Sequence, residues 1–511
     1  MSRLDNAKKG IIAGFINNVL AIVLPFVSRT IILYTLGNAY AGLGGLFTSI
    51  INVLNISELG FGAAVSYILY KPVAEGDDEK VRAILNFTRK CFRVIGTIIL
   101  IAGLAIMPFL QHLIKSDVPD GLNIYILFAI YLVNVVLSYW TFAYKRLLFS
   151  ANQRYDVETK IASIVLVLQY VVQILVLLVL KNYYLYVVVF AVMTFVNNLL
   201  CHTTTKKMFP QYFCRGQIDK TEVKVLKQKI GGSFFAKVGE TVYLSVDNIV
   251  ISAFFGLMVL GKYGNYYYVI SSLLALFAVL HNTLRPIIGN CIVLENAEAN
   301  FKRLSTLNHA YLWCSAFCTG CLLVLYQDFI TVWVGAEATF TMDIVLLLAI
   351  YFFTGRLTCI PTLFVEAAGL WWESKFFSLI AATLNLTLNI ILSRLIGLPG
   401  ILISSIVSSL AVTLCGYVWV LFKHYFNEPG QFWGYLRNTL GIVIGGGVSI
   451  AAVYFLCRAV PAHSWLMLIV KGALVAAAFG AFYVVINCKN QVAKETWRMV
   501  YAMFLSKVRK K

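Results

Sequence analysis

The sequence predicts an all-α integral membrane protein with about 14 transmembrane helices, arranged as two pseudo-symmetric six-helix lobes followed by two further helices. Three observations carry this. Of 511 residues, 60% are hydrophobic and 13% charged, with a mean hydropathy of +0.80, where soluble domains run nearer half apolar and a quarter charged. Basic residues segregate to one side of the predicted helices. A glycine pattern near the start of the chain recurs in its middle.

At about 20 apolar residues per crossing, the chain supplies spans at 11–36, 42–70, 91–114, 122–149, 161–180, 183–205 and 233–255, then at 265–290, 307–326, 342–366, 376–393, 400–422, 438–457 and 464–487. The first follows the basic stretch MSRLDNAKKG without a small-residue cleavage site, so it reads as a first transmembrane helix and not as a removable signal. With the N-terminus cytoplasmic, 32 of the 42 Lys and Arg fall on the cytoplasmic side and five on the outer side: Lys115, Lys181, Lys262, Arg394 and Arg458. The other five, Arg29, Lys237, Arg285, Arg356 and Lys471, fall inside spans. Such asymmetry is the positive-inside signal of a multi-pass protein.

Gly37, Gly42 and Gly45 after span 1 recur as Gly256, Gly261 and Gly264 after span 7, at an offset of 219. Ala129-Ile130-Tyr131 recurs as Ala349-Ile350-Tyr351, and Gln169 with Gln173 answers Asn385 with Asn389. A six-span unit is even, so both copies enter the membrane in one direction and form parallel repeats. The expected organisation is 1–205 as the N-lobe, 206–232 as a basic cytoplasmic linker, 233–425 as the C-lobe, 426–487 as two extra helices and 488–511 as a basic amphipathic tail on the inner leaflet. A pseudo-symmetric pair of bundles is the usual architecture of an alternating-access transporter.

This composition excludes a soluble enzyme. The net charge of +19 reads as loops meeting anionic membrane lipids, not as a nucleic-acid surface. The 11 cysteines lie mostly within apolar spans with no CxxC, which argues against disulfides; Cys314, Cys318 and Cys321 share one span near His309 without a second ligand set, so packing outweighs metal binding. No Walker A, HExxH or GxSxG motif occurs, and no cofactor is called for. The longest outer loop, 327–341, has no Lys, Arg or His, which disfavours a membrane polysaccharide polymerase or ligase. Gly445, Gly446 and Gly447 read as close helix packing, and Tyr266, Tyr267 and Tyr268 as part of an interfacial belt.

Ionisable side chains within spans cost about 2.5–3.5 kcal/mol each on insertion scales and are functional candidates by default. Arg29 shares one helical stripe with Gly14, Asn18 and Pro25; it is either a substrate contact or a structural pair between helices. Glu58 lies on a polar face of span 2 and is a partner for Arg29 or a proton site. In span 7, Lys237 and Asn248 share a face while Glu240 and Asp247 share an adjacent one. Asp247 is the deepest candidate for a coupling ion, H⁺ or Na⁺; Lys237 and Glu240 sit near the span's end, where snorkelling or pairing is the alternative. Arg356 lies near the middle of span 10 and Arg285 beside Pro286 in span 8. Arginines from both repeats suit an anionic, phosphate-bearing substrate, because a guanidinium forks onto phosphoryl oxygens. Glu366 and Lys471 sit close enough to span ends for a solvated role.

The segment Glu58-Leu59-Gly60-Phe61-Gly62-Ala63-Ala64, with Tyr67, Tyr70, Lys71-Pro72 and the acidic run Asp77-Asp78-Glu79, resembles the end of helix 2 in Wzx-type polysaccharide transporters, and so do Asp247-Asn248-Ile249-Val250-Ile251-Ser252, Tyr263-Gly264-Asn265-Tyr266 and Pro286-Ile287-Ile288-Gly289-Asn290. That family belongs to a superfamily that also holds multidrug extruders and lipid II flippases. The resemblance implies a flippase moving an undecaprenyl-pyrophosphate-linked oligosaccharide from the inner to the outer leaflet of the bacterial cell membrane, working beside polysaccharide assembly proteins. It places cavity arginines at Arg29 and Arg285, the latter closer to the cytoplasmic end than the family pattern. The alternatives within the same superfamily are a multidrug exporter, relying on Asp247 and Glu58, and a lipid II flippase.

Overall fold

The computed structural model describes residues 3–58, 61–115 and 118–497; within helices it leaves out the side chains of 3–13, 15, 57–58, 63, 236 and most of 220–233. Every regular element is helical: α1 (Arg3–Thr35), α2 (Asn38–Leu54), α3 (Phe61–Glu75), α4 (Asp78–Ile106), α5 (Ile124–Trp140), α6 (Leu147–Ala151), α7 (Tyr155–Leu175), α8 (Tyr183–Met208), α9 (Lys220–Phe255) and α10 (Leu257–Leu294). There follow α11 (Ala297–Val334), α12 (Met342–Leu357), α13 (Cys359–Ala367), α14 (Trp371–Ser374), α15 (Phe377–Ile396), α16 (Leu398–Ser408), α17 (Cys415–Leu421), α18 (Pro429–Cys457) and α19 (Trp465–Asn487). Among the described residues twelve helical segments are long and apolar enough to cross a membrane, and a bent pair makes thirteen. The protein is a multi-pass membrane protein.

Span 2 accounts for the difference from fourteen. It is delivered as α2 and α3, of 17 and 15 residues, around a 3-10 turn at Asn55–Glu58. Asn55, a poor helix-interior residue type, opens that turn, and its Oδ1 accepts from the Tyr139 hydroxyl at 3.4 Å. Span 4 bends by 53° between Ile124–Trp140 and Ala143–Ala151, where Phe142 adopts φ 56. Span 3 starts well before its apolar stretch: Asp77 accepts the Lys80 amide at 3.0 Å and caps an amphipathic extension of α4, as a carboxylate at a helix N-cap does.

The segment read as a linker, 206–232, is helical at both ends, since α8 runs to Met208 and α9 starts at Lys220. The non-helical remainder is bolted onto α4: Arg82 Nε donates to the Gln211 carbonyl at 2.7 Å, Asn86 Nδ2 to the Gly216 carbonyl at 2.9 Å, and the Arg82 guanidinium lies 4.3 Å from the Phe213 ring centre. Burial raises the Tyr212 phenol above its usual range. The tail's described beginning is seated on unit-mates: Thr496 is buried, and Lys302 pairs with Glu495 at 2.9 Å. The rest of the tail, 498–511, lies outside the described residues.

The chain divides into two compact units, Met1–Gly264 and Asn265–Lys511. In the first, α1 packs along α7, α5 between α4 and α8, and α2 along α9. In the second, α11 packs against α18, α19 and α12, and α15 against α16. The repeat read from sequence recurs as backbone conformation. Gly37 (φ 95) and Gly256 (φ 85) each precede a helix start, and Lys181 (φ 47) and Gly397 (φ 75), at the Gln169/Asn385 offset, end the paired helices. The Phe142 bend likewise answers the break at Thr358 between α12 and α13.

The two glycine triads meet within the first unit. A Cβ on Gly42 would overlap the Leu257 carbonyl, and one on Gly261 the Asn38 carbonyl, whereas Gly45 faces open space. Because the obstructing atoms are backbone, neither side can give way. Gly42→Ala and Gly261→Ala are each expected to cost about 1–3 kcal/mol and lower the melting temperature in detergent, while Gly45→Ala leaves it unchanged.

Candidate functional site

In the first unit the site is built around Arg29, deep in α1. Its Nη2 donates to the Gly261 carbonyl at 3.2 Å, and a Cβ on Gly264 would stand 2.6 Å from the same nitrogen. The second glycine triad is therefore the surface on which this guanidinium lies. Its neighbour Ser28 is 3.4 Å from the Tyr186 hydroxyl, and Tyr183 donates to the Tyr40 carbonyl at 3.1 Å. Tyr183 packs edge-on to Tyr40 and stacks on Tyr186, and the charge of Arg29 reaches both Tyr183 and Tyr186. This tyrosine cluster was not singled out by the sequence reading; its signal was the run Tyr183, Tyr184 and Tyr186 opening an otherwise apolar helix.

The other first-unit candidates take different positions. Asn18 is exposed on α1, and its neighbour Asn17 instead accepts from Ser163 of α7 at 3.0 Å. Asp247 is buried, with 7% exposure, one residue from Asn248, whose Nδ2 donates to Ser49 of α2 at 2.9 Å. Lys237 and Glu240 form an exposed ion pair at 2.7 Å, so the two charges answer each other one turn apart. The Glu58 side chain lies outside the described residues.

In the second unit Arg356 ends α12. Its guanidinium carbon lies 5.9 Å from the Phe277 ring centre and 5.8 Å from that of Phe352, beside the Tyr311 hydroxyl and the Cys359 thiol. Phe277 meets Tyr311 and Phe352 edge-on at 5.0 and 6.0 Å. The Arg356 Nε is buried without a hydrogen-bond partner, and among the described residues no carboxylate lies within ion-pair distance of this side chain. Arg285 differs: Glu366 lies 3.4 Å from its Nε and 3.6 Å from His281, and Trp371 covers the guanidinium at 5.2 Å. The structure thus gives Arg285 a carboxylate partner and Arg356 an aromatic cage.

Two positions near span ends depart from the solvated role. Glu366 is drawn into the Arg285 cluster. Lys471 is 4% exposed and bonds Asp328 of α11 at 2.6 Å, because an ammonium at that depth of α19 is held by the acid on the facing helix and does not snorkel. Among the described residues no group of three or more His, Cys, Asp or Glu side chains comes together to hold a metal ion; His309 packs against Trp313 and Tyr483.

No protein-family model and no curated protein matches the chain. Solved structures do. The lipid II flippase MurJ in an inward closed conformation superposes with a TM-score of 0.65 at 14% identity, over 94% of this chain and 98% of that one. An inward-facing multidrug resistance MATE transporter of the MOP superfamily gives 0.60 at 11% identity, over 79% and 94%. A point mutant of the Vibrio cholerae MATE transporter VcmN gives 0.56 at 12% identity, over 84% and 99%. The chain has the fold of MOP-superfamily transporters, and at these identities the likeness concerns the fold alone.

Removing one partner of a buried ion pair strands the other charge, at about 3–5 kcal/mol. Lys471→Ala is therefore expected to lower the melting temperature and the yield of folded protein, and the double variant Lys471→Met/Asp328→Leu to recover most of the loss. Thermal unfolding of the three proteins in one detergent measures this.

Proposed function

We propose that the protein is a flippase that carries an undecaprenyl-pyrophosphate-linked oligosaccharide across the bacterial cytoplasmic membrane by alternating access, with both termini cytoplasmic. One observation supports an anionic headgroup above the others. Arg356 is a permanently charged group set among Phe277, Tyr311 and Phe352, with no carboxylate in ion-pair distance among the described residues and with an unpartnered Nε–H. A cation so placed is costly in a low-dielectric setting, and phosphoryl oxygens can answer both the charge and the idle donor. Arg29, in the first repeat though not at the equivalent position, is the second arginine of this reading, held to the Gly261 carbonyl. The fold of a lipid II flippase and the Wzx-like segments support a lipid-linked substrate.

Arg285 plays a lesser part in this reading, because Glu366 already lies against it. Asp247, buried in α9, is the proposed coupling carboxylate, exchanging H⁺ or Na⁺, and the exposed Lys237–Glu240 pair stands outside both roles. If coupling runs through Asp247, Asp247→Asn removes the pH or Na⁺ dependence of transport in proteoliposomes while leaving substrate binding intact. Transport of Asp247→Asn with the wild-type ion dependence removes that assignment.

Binding of undecaprenyl pyrophosphate to purified protein tests the anionic site. Arg356→Ala is expected to lose about 1.5–3 kcal/mol, a 10- to 150-fold rise in Kd, and Arg356→Lys to recover little, since an ammonium cannot fork two oxygens. Unchanged binding by folded Arg356→Ala, or competition by an organic cation in preference to the pyrophosphate, overturns the flippase reading in favour of a multidrug exporter.

A further inference from the structure

The second unit contains a cleft unrelated to the arginines above. It measures about 520 Å³ and lies where the basic end of α11, the first turns of α18, the last turn of α19 and residues 490–492 converge. Arg437 is the one charged residue lining it. Three further donors line the same cleft. The Asn438 Nδ2 and the Trp313 Nε1 are buried without hydrogen-bond partners, Trp313 being only 5% exposed. Asn490 spends its Oδ1 on the Val492 amide at 2.9 Å, which leaves its amide hydrogens to the cleft.

Donors without acceptors, sharing one cleft with a guanidinium, select an anion. The rest of the lining narrows the class. Ile442 and Ile486 make part of the wall apolar, and Trp433, 64% exposed one turn before Arg437, has the placement of an interfacial aromatic anchor. The ion pair of Lys302 with Glu495 flanks the same end, at which Arg303, Lys423, Lys489 and Lys494 also collect, the signature of a cytoplasmic face. An apolar wall beside an anion-selective floor at the depth of the lipid headgroups suits a molecule that is itself amphipathic.

We infer that this cleft between α11, α18 and α19 binds the phosphodiester headgroup of an anionic membrane lipid from the cytoplasmic leaflet. Arg437 holds two phosphoryl oxygens, Asn438 and Asn490 donate to the remaining ones, and the glycerol backbone lies along the isoleucine wall. Such a lipid ties α18 and α19 to α11 and stabilises the folded state by mass action.

Gly441 supplies a clean probe. It lines the cleft, and a Cβ there meets nothing within 4 Å, so Gly441→Leu fills the space without removing a charge and replaces a poor helix former by a good one. Melting temperatures of the full-length protein in a neutral detergent are compared with dioleoyl phosphatidylglycerol, inorganic phosphate or dioleoylglycerol added. The expected result is a rise of several degrees with phosphatidylglycerol alone. Arg437→Gln should need at least tenfold more lipid for the same rise, and Gly441→Leu should lose the response while its lipid-free melting temperature is equal or higher. Should Arg437→Gln fail to fold, Gly441→Leu carries the test. Equal responses in wild type and Gly441→Leu, no response in wild type, or the same rise with dioleoylglycerol overturn the proposal; a rise with inorganic phosphate alone overturns the lipid and leaves a free anion as the ligand.

Discussion

Lipid tails are as apolar as leucine, so no hydrophobic force drives one membrane helix against another, and contact has to come from close backbone approach and from polar groups that find partners across helices. Both devices recur in each unit. Gly42 and Gly261 let α2 and the start of α10 touch backbone to backbone. Elsewhere Asn248 reaches Ser49, Thr194 reaches Asn134, Asn385 reaches Ser405 and Asn308 reaches Thr439. Large apolar side chains such as Val179, Val293, Leu294 and Leu395, all more than 70% exposed, are left outward, where a bilayer rather than a protein core receives them.

The same constraint explains what could be read from the sequence. Gly42 and Gly261 cannot take a Cβ without a clash, and Gly37 and Gly256 sit at positive φ, so these two positions of each triad call for glycine and the repeat is visible. Gln173 and Asn389 are both fully buried, and their amides also mark equivalent places. The matching helix ends at Lys181 and Gly397 were invisible, because a left-handed φ can be supplied by different residue types. Helix ends outside the hydrocarbon escaped detection for a related reason: α4 before Cys91 and α9 before Ser233 are amphipathic or polar, so an apolar-run criterion stops short of them. Span 2 failed in the opposite direction, its apolar stretch resuming beyond the turn that opens at Asn55.

The candidate site was legible in its residue types and not in its pairings. A charged residue in an apolar span announces itself, and all five intramembrane cations were visible at once. What distinguishes them is the group each one faces. The Lys237 partner was within reach of sequence reasoning, being three residues away on the same helix. The partners of Lys471 and Arg285, Asp328 and Glu366, come from helices far along the chain, and nothing in local spacing points to them. The aromatic setting of Arg356 draws on Phe277 and Tyr311, again from other helices.

Those five settings form a graded series. Lys237 has a solvated carboxylate one turn away, so its charge asks nothing further of the fold. Lys471 and Arg285 are matched by carboxylates that the tertiary structure delivers, which makes them fixtures of helix packing. Arg29 has, among its contacts, a carbonyl dipole from Gly261 and hydroxyl-bearing rings beside it, which orient the guanidinium. Arg356 has ring faces, worth about 0.5–2 kcal/mol to a cation, the Tyr311 hydroxyl beside it, and an Nε–H with no acceptor. Insertion of a cation into a membrane helix has a similar cost at each position, so the positions where the protein itself supplies the least compensation are those where an anionic ligand has the most to add. Arg356 stands at that end of the series.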